Sequence, residues 1–235
     1  VFQSLQVLTS EFRFQDGHVR PTAVAGGSKD VALLAQAVLE SGVSGQHSIH
    51  QLGVGGYIDP ALRQLLATAF PCAELFERYS LSEVFGGATR RPGSDTFVID
   101  PYVVGEVLDD NDDPVAIGDV GELTLTELFP FVQAQPLVRY RTGDIVRRVS
   151  DAGGELAFEW WGRRSRCIRS VDDTSWMLGY SIVADELSQH DLVARQSCRT
   201  EITIISSTDL GPPCFTYEVD DDGVLDLEVG LRLSP

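Results

Sequence analysis

The sequence predicts a mixed α/β fold, and two observations carry that prediction. Through about the first ninety residues, segments of helical period alternate with short apolar runs that close in glycine. From about Asp95 the pattern changes to short stretches rich in β-branched and aromatic residues, separated by acidic and glycine-bearing turns. The expected organisation is an α/β region over 1–92, a β-rich region over 93–161 forming a small barrel or curled sheet, and a small α+β region over 162–235 entered through a hinge at about 162–170.

Each element follows from local pattern. "VALLAQAVLESGV" (31–43) has apolar residues at helical spacing and stops at Gly42, a good helix terminator. "IHQLGVGG" is a short apolar stretch ending in glycines. In "DPALRQLLATAF", Asp59 is placed to cap a helix, and Pro60 suits its first turn, where no N–H is needed. "AELFERYSLSE" reads as a strand running into a loop. The β-rich region supplies strands at "TFVID", "YVVGEVLD", "GELTLTEL", "LVRYRTGDIVRRV" and "ELAFEWWG", with turns at "DDNDDP" and "AIGDVG". Beyond Gly162, a helix is expected near "SIVADELSQH" and strands at "EITIIS", "FTYEV" and "VLDLEVGL".

Composition bounds the function. A chain of 235 residues, 43% of them hydrophobic, can bury a real core. Its 18 Lys plus Arg against 35 Asp plus Glu give a net charge of −17, which argues against nucleic acid and anionic membranes, since both need a basic face. No run approaches the roughly 20 apolar residues of a spanning helix, and no basic-then-apolar leader opens the chain. Cys72, Cys167, Cys198 and Cys214 lack metal-ligand spacing and point to reduced thiols in a cytoplasm. His47 and His50, three apart with no third ligand nearby, read as loop histidines ahead of a zinc pair.

Positive charge is unevenly spread. Eight of the 18 basic residues fall between Arg139 and Arg169, beside four acids, and "RYRTGDIVRR" sets one aspartate among four arginines. Such a strip is either a solvated face or a seat for a phosphate-bearing ligand, because local guanidinium forks outweigh distant, screened acids. Four turns carry the candidate chemistry: "GVGGYIDP" (53–60), "YSLSEVFGG" (79–87), "YRTGD" (140–144) and "WGRRSRCIR" (161–169). Glycines before a helix let a ligand approach the backbone closely, although they also end ordinary strands. A serine and a glutamate after a strand suit magnesium, which favours one or two carboxylates together with phosphate oxygens; a capped turn has the same residues. An aspartate after Thr-Gly accepts hydrogen bonds from vicinal hydroxyls, as an acid reading a ribose does, or simply occupies a turn.

In order and spacing these turns resemble those of the adenylate-forming superfamily of acyl-CoA synthetases and adenylation domains, and they look closest to its phenylacetate–CoA ligase branch. The family's Gly-Gly-Glu turn, which borders the adenine and acyl pocket, here reads Gly55-Gly56-Tyr57. Its Tyr-Gly-x-Thr-Glu, which binds adenine, phosphate and magnesium, reads Tyr79-Ser80-Leu81-Ser82-Glu83. Tyr-Arg-Thr-Gly-Asp, whose aspartate grips the ribose hydroxyls, is matched in full by Tyr140 to Asp144, with "GELTLTEL" shortly before it. Gly-Arg-x-Asp-Asp-x-Ile-Lys, the family's hinge to a mobile lid, is matched at Gly162, Arg163, Ile168 and, conservatively, Arg169. The resemblance covers about residues 20 to 205.

The resemblance implies part of the family's large N-terminal domain, an α/β subdomain plus a small β-barrel, followed by an incomplete C-terminal lid. It implies activation of a carboxylic acid, with an aromatic acid as one candidate, by ATP to an acyl-AMP, with transfer to coenzyme A or to the phosphopantetheine of an acyl carrier protein as a second step. Glu83 would hold Mg²⁺ and Ser82 a phosphate oxygen. Gly55, Gly56 and Tyr79 would border the adenine, while Asp144 and Arg163 would take the ribose. Tyr57, Phe85 and Gly86, with Phe76, would line the acyl pocket.

Five departures accompany the match. Tyr57 replaces the glutamate of the glycine turn, Ser80 replaces a glycine, and Ser165 and Arg166 stand where the hinge acids belong. The family's glycine-rich phosphate loop is missing: Lys29 is the only lysine, and "GGSKDVALL" runs too directly into a helix to be that loop. The family's late lysine, which assists adenylation, is missing as well. Residues 1–235 alone are therefore expected to favour AMP over ATP, and a start at Val1 without methionine points to truncation. The alternative is a non-catalytic nucleotide- or acyl-binding accessory protein on the same fold.

Overall fold

The computed structural model describes residues 2–14, 17–150, 155–170, 175–189, 215–219 and 225–229. It divides into two compact units, Val1–Ser80 with Thr89–Ser94, and Leu81–Ala88 with the described residues from Asp95 onward. The first unit has three parallel strands besides a short antiparallel pair, and the strands of the second pair antiparallel, so the class is mixed α/β as the pattern implies.

The first unit opens with α1 (Phe2–Thr9) and a hairpin of β1 (Phe12–Phe14) and β2 (Gly17–Val19), none of them signalled by the pattern. A β-α-β-α-β run follows: β3 (Ala23–Gly27), α2 (Ser28–Glu40), β4 (Gln51–Gly55), α3 (Pro60–Ala69) and β5 (Glu74–Ser80). Strands β3, β4 and β5 lie side by side and parallel. β3 is invisible to propensity because "AVAGG" holds a single β-branched residue. Its pairing comes from the ladder to β4. The apolar stripes of α2 and α3 bury Val31, Ala35, Val38, Leu62 and Leu66 with Leu52 and Val54 of β4. The α3 start is as predicted: Pro60 begins the helix, and the Asp59 carboxylate accepts from the Leu62 N–H at 2.7 Å.

The second unit contains β7 (Phe97–Ile99), β8 (Val103–Leu108), β9 (Val120–Glu127), β10 (Tyr140–Ser150) and β11 (Ala157–Arg163). They line up as β7-β11-β10-β9-β8, and β6 (Gly87–Arg90) straddles the two units. All five expected strands are present. Register slips in β10 between Ile145 and Val146 and between Arg148 and Ser150 bend that strand. Leu123, Leu125, Ile145, Val146 and Phe158 are buried along it, and Phe97 stacks on Phe158 at 5.7 Å.

After β11 comes a tight turn over Arg164–Arg166, then β12 (Ile168–Arg169), β13 (Trp176–Leu178) and α4 (Tyr180–Ser188), the helix expected near 181–190. β14 (Phe215–Val219) and β15 (Leu225–Val229) form an antiparallel hairpin; the strand expected at "EITIIS" lies outside the described residues. Among the described residues no helix is long and apolar enough to cross a membrane.

Asp59 is 3% exposed, so losing its carboxylate removes a cap from a buried helix start. Asp59→Ala should destabilise the chain by about 1 kcal/mol, read as a lower urea midpoint with unchanged slope.

Candidate functional site

β10 carries Tyr140 to Asp144 and β11 carries Gly162 and Arg163, and the antiparallel register sets Asp144 directly opposite Arg163. Two residues chosen from separate motifs are thus cross-strand partners. The Asp144 carboxylate is buried, at 2% exposure. Trp160, also on β11, donates its indole N–H to Asp144 Oδ1 at 3.2 Å, and Arg163 Nη1 lies 3.4 Å from Oδ2. The same Arg163 nitrogen donates to the Thr142 carbonyl at 2.8 Å, while half of its side chain stays exposed. The carboxylate is enclosed by protein, while the guanidinium keeps one side open to water.

The Thr-Gly-Asp turn is fixed from behind. The Thr142 hydroxyl donates to the Leu123 carbonyl at 2.8 Å and accepts from the Asp144 N–H at 3.1 Å. Gly143 has φ +74°, the left-handed region, and its N–H donates to Glu122 Oε1 at 3.0 Å. Glu122 is buried on β9 and also receives Arg141 at 3.0 Å and Arg164 at 3.1 Å. Trp160 and Glu122 are site residues the sequence reading did not single out. The signal for Glu122 was present, as an acid inside the apolar run "GELTLTEL".

The arginine strip is for the most part neutralised. Arg139 pairs with Glu106, Arg141 also with Asp112, and Arg147 with Glu159. Arg164 and Arg169 donate to opposite oxygens of Asp110, at 2.8 and 2.7 Å, and both lie over the Trp176 ring. Those hydrogen bonds, from Arg164 first and then Arg169, hold the Asp110 carboxyl below its ordinary value. Arg163, a hinge arginine, is partnered with Asp144.

Cys167 closes this corner. Its sulfur accepts the Tyr180 N–H, and burial chiefly, with the Asp144 charge adding to it, pushes the thiol up to about 11. Cys72, by contrast, is exposed.

The turn after β5 belongs to the second unit from Leu81. Ser82, Glu83 and Phe85 are exposed and Val84 is buried. Gly86, at φ +123°, fits so closely that an added Cβ would come within 2.7 Å of Val103 and 3.0 Å of Tyr102. In the first unit, Gly55 ends β4, and the exposed Gly56 and half-buried Tyr57 follow. Tyr79 is half-buried in β5, next to Ser80, which is an ordinary strand residue without positive φ. The glycine-to-serine departure therefore brings no strain. An open cavity of about 400 Å³ lies over this sheet, walled by Ala25, Gly53, Gly55 and Phe76 with Arg78 and Thr89 at its side. Its small side chains leave room for a compact apolar group.

No protein-family model matches the chain, and no curated protein matches it in sequence. Solved structures do match. A 2-hydroxyisobutyryl-CoA ligase, in an open conformation with 2-HIB-AMP and CoA, is 19% identical with a TM-score of 0.60, over 74% of this chain and 42% of that one. A benzoate CoA ligase from Burkholderia xenovorans LB400 is 18% identical with a TM-score of 0.59, over 92% and 41%. The anthranilate CoA ligase AuaEII, in complex with anthranoyl-AMP, is 19% identical with a TM-score of 0.54, over 74% and 35%. The chain has the fold of these CoA ligases. It spans about two fifths of their length or less. This CoA-ligase fold is the one that the resemblance of the four turns implies.

Within it, the raised thiol makes a direct check on the corner around Asp144. Peptide mapping after iodoacetamide at pH 8 should show Cys167 reacting at least a hundredfold more slowly than Cys72, with its rate still climbing as pH approaches 11. Equal rates would mean that the corner is open.

Proposed function

We propose that this chain is the nucleotide- and acid-binding part of an adenylate-forming ligase, which joins a small carboxylic acid to AMP and then passes the acyl group to coenzyme A. The observation that carries this reading is the cross-strand pairing of Asp144 with Arg163. The shared fold and the full Tyr-Arg-Thr-Gly-Asp match support it.

In this reading an oxygen of the acid's carboxylate attacks the α-phosphorus of ATP. The bond to the β-phosphate oxygen breaks and pyrophosphate leaves with its electron pair. The chain positions the reactants and balances charge, and no protein group need exchange a proton. Asp144 accepts the two ribose hydroxyls, which replace its long contact with Arg163, and Arg163 turns its exposed guanidinium toward the nucleotide. Tyr79 borders the adenine beside Gly55 and Gly56. The exposed Ser82 hydroxyl and Glu83 carboxylate form a hard oxygen pair that fits magnesium together with phosphate oxygens. When bound, that ion neutralises phosphate charge; Glu83 would hold it and Ser82 would donate to a phosphate oxygen.

The acid is aromatic, along the phenylacetate–CoA ligase branch. Each unit offers candidate wall residues for its ring, Tyr57 in the first and Phe85 with Gly86 in the second, and the small-residue cavity beside Phe76 supports a compact acyl group. A carrier-protein thiol is the other acceptor to test. Residues 162–235 serve as hinge and lid, and the two described cysteines, both free thiols, support a cytoplasmic setting.

Asp144→Ala should weaken binding of AMP or an acyl-AMP mimic at least tenfold, about 1.4 kcal/mol, by calorimetry; an unchanged affinity in a folded variant removes the ribose assignment. Glu83→Gln should leave metal-free nucleotide binding intact and abolish the gain that magnesium brings. If the gain persists, Glu83 is only a turn residue. Acid-dependent ATP–pyrophosphate exchange across a panel of aryl acids tests turnover itself, and binding without exchange would identify an accessory protein.

A further inference from the structure

Glu127, the last residue of β9, has no place in the chemistry above, yet its carboxylate is buried at 8% exposure. Its side chain accepts two backbone N–H groups and faces no cation among the described residues. Oε1 takes the Phe85 N–H at 2.7 Å and Oε2 takes the Leu137 N–H at 2.8 Å. The residue's own N–H donates to the Leu137 carbonyl at 2.9 Å. Burying a carboxylate against only two neutral donors is costly, and β9 does not need it for its own ladder, which pairs with β8 and β10 through the backbone.

The Phe85 bond falls two residues beyond Glu83. The same segment is fastened at Val84, which is 5% exposed, and at Gly86, which is pressed against Val103 and Tyr102. The Phe85 ring lies 5.6 Å from Tyr102, whose ring lies 5.5 Å from Phe131. Residues 84–86 are therefore anchored while Ser82 and Glu83 project into solvent. A hard cation held by a single protein carboxylate depends on where that carboxylate points, and Glu127 is a polar anchor of its loop. Glu122 does the equivalent for Gly143, so β9 secures both loops with acids five positions apart.

We propose that Glu127 is a positioning residue that sets Glu83, in the Ser82–Glu83 loop, for magnesium through the Phe85 amide. The proposal rests on the reading of that loop given above. Glu127→Ala and Glu127→Gln should be compared with the unaltered chain by ATP calorimetry with and without Mg²⁺, and by hydrogen exchange of a peptide covering 81–88. In the alanine variant the magnesium-dependent gain should fall at least fivefold, with metal-free AMP affinity within twofold of the parent and exchange at 81–88 at least tenfold faster. The glutamine variant keeps one acceptor and should fall between the two; if the alanine variant does not fold, it decides on the same criteria. A full magnesium gain in a folded variant overturns the proposal and leaves the functional reading standing. No magnesium gain in the parent chain overturns the functional reading of the loop, and this proposal with it.

Discussion

An ionised carboxylate that has lost its water must find donors inside the protein or give up its charge. That requirement falls on Asp144, and much of the second unit can be understood as meeting it. β11 must lie against β10 in the one register that brings Trp160 and Arg163 to its two oxygens. The bulge before it in β10 must bring the Thr142 hydroxyl to the Asp144 N–H, with Gly143 in the left-handed region. The freed Gly143 N–H needs an acceptor of its own and finds it in Glu122. A one-residue slip of β11 would turn Trp160 and Arg163 to the opposite face and leave the carboxylate stranded.

The same network explains how a chain of net charge −17 tolerates eight arginines within 139–169. The acids that balance them come mostly from elsewhere in the sequence, Glu106, Asp110, Asp112 and Glu122, joined by Asp144 and Glu159 from within the strip. Two arginines share Asp110 and the Trp176 ring, an arrangement in which guanidinium planarity matters and lysine could not substitute. A strip that looks basic in one dimension is close to neutral in three. The exposed guanidinium groups of the strip include Arg163, beside the buried acid, and Arg166, over the Tyr180 ring.

Much of the fold was legible because it is written locally. Asp59-Pro60 announces a helix start whatever surrounds it, and the β-branched runs from 97 to 163 announce strands. β3 was not legible, because alanine and glycine have no strand preference and its existence depends on a neighbour. The site divides the same way. Asp144 and Arg163 stood out through their motifs, but their contact depends on register, which no local pattern specifies. Trp160, Glu122 and Glu127 were missed because an indole or acid in a strand has no meaning until the loop it holds is known.

The chain has three tryptophans, and the fold gathers their surroundings into one neighbourhood. Trp160 donates a hydrogen bond to the Asp144 carboxylate, Trp161 lies under Arg147, and Trp176 is in contact with both Arg164 and Arg169. Indole emission responds to nearby charge and to hydrogen bonding at its nitrogen. The intrinsic fluorescence of the chain is thus a local optical signal from the strand pair and the turn that follows it. Any event that draws Asp144 away from the Trp160 N–H reports itself without a label.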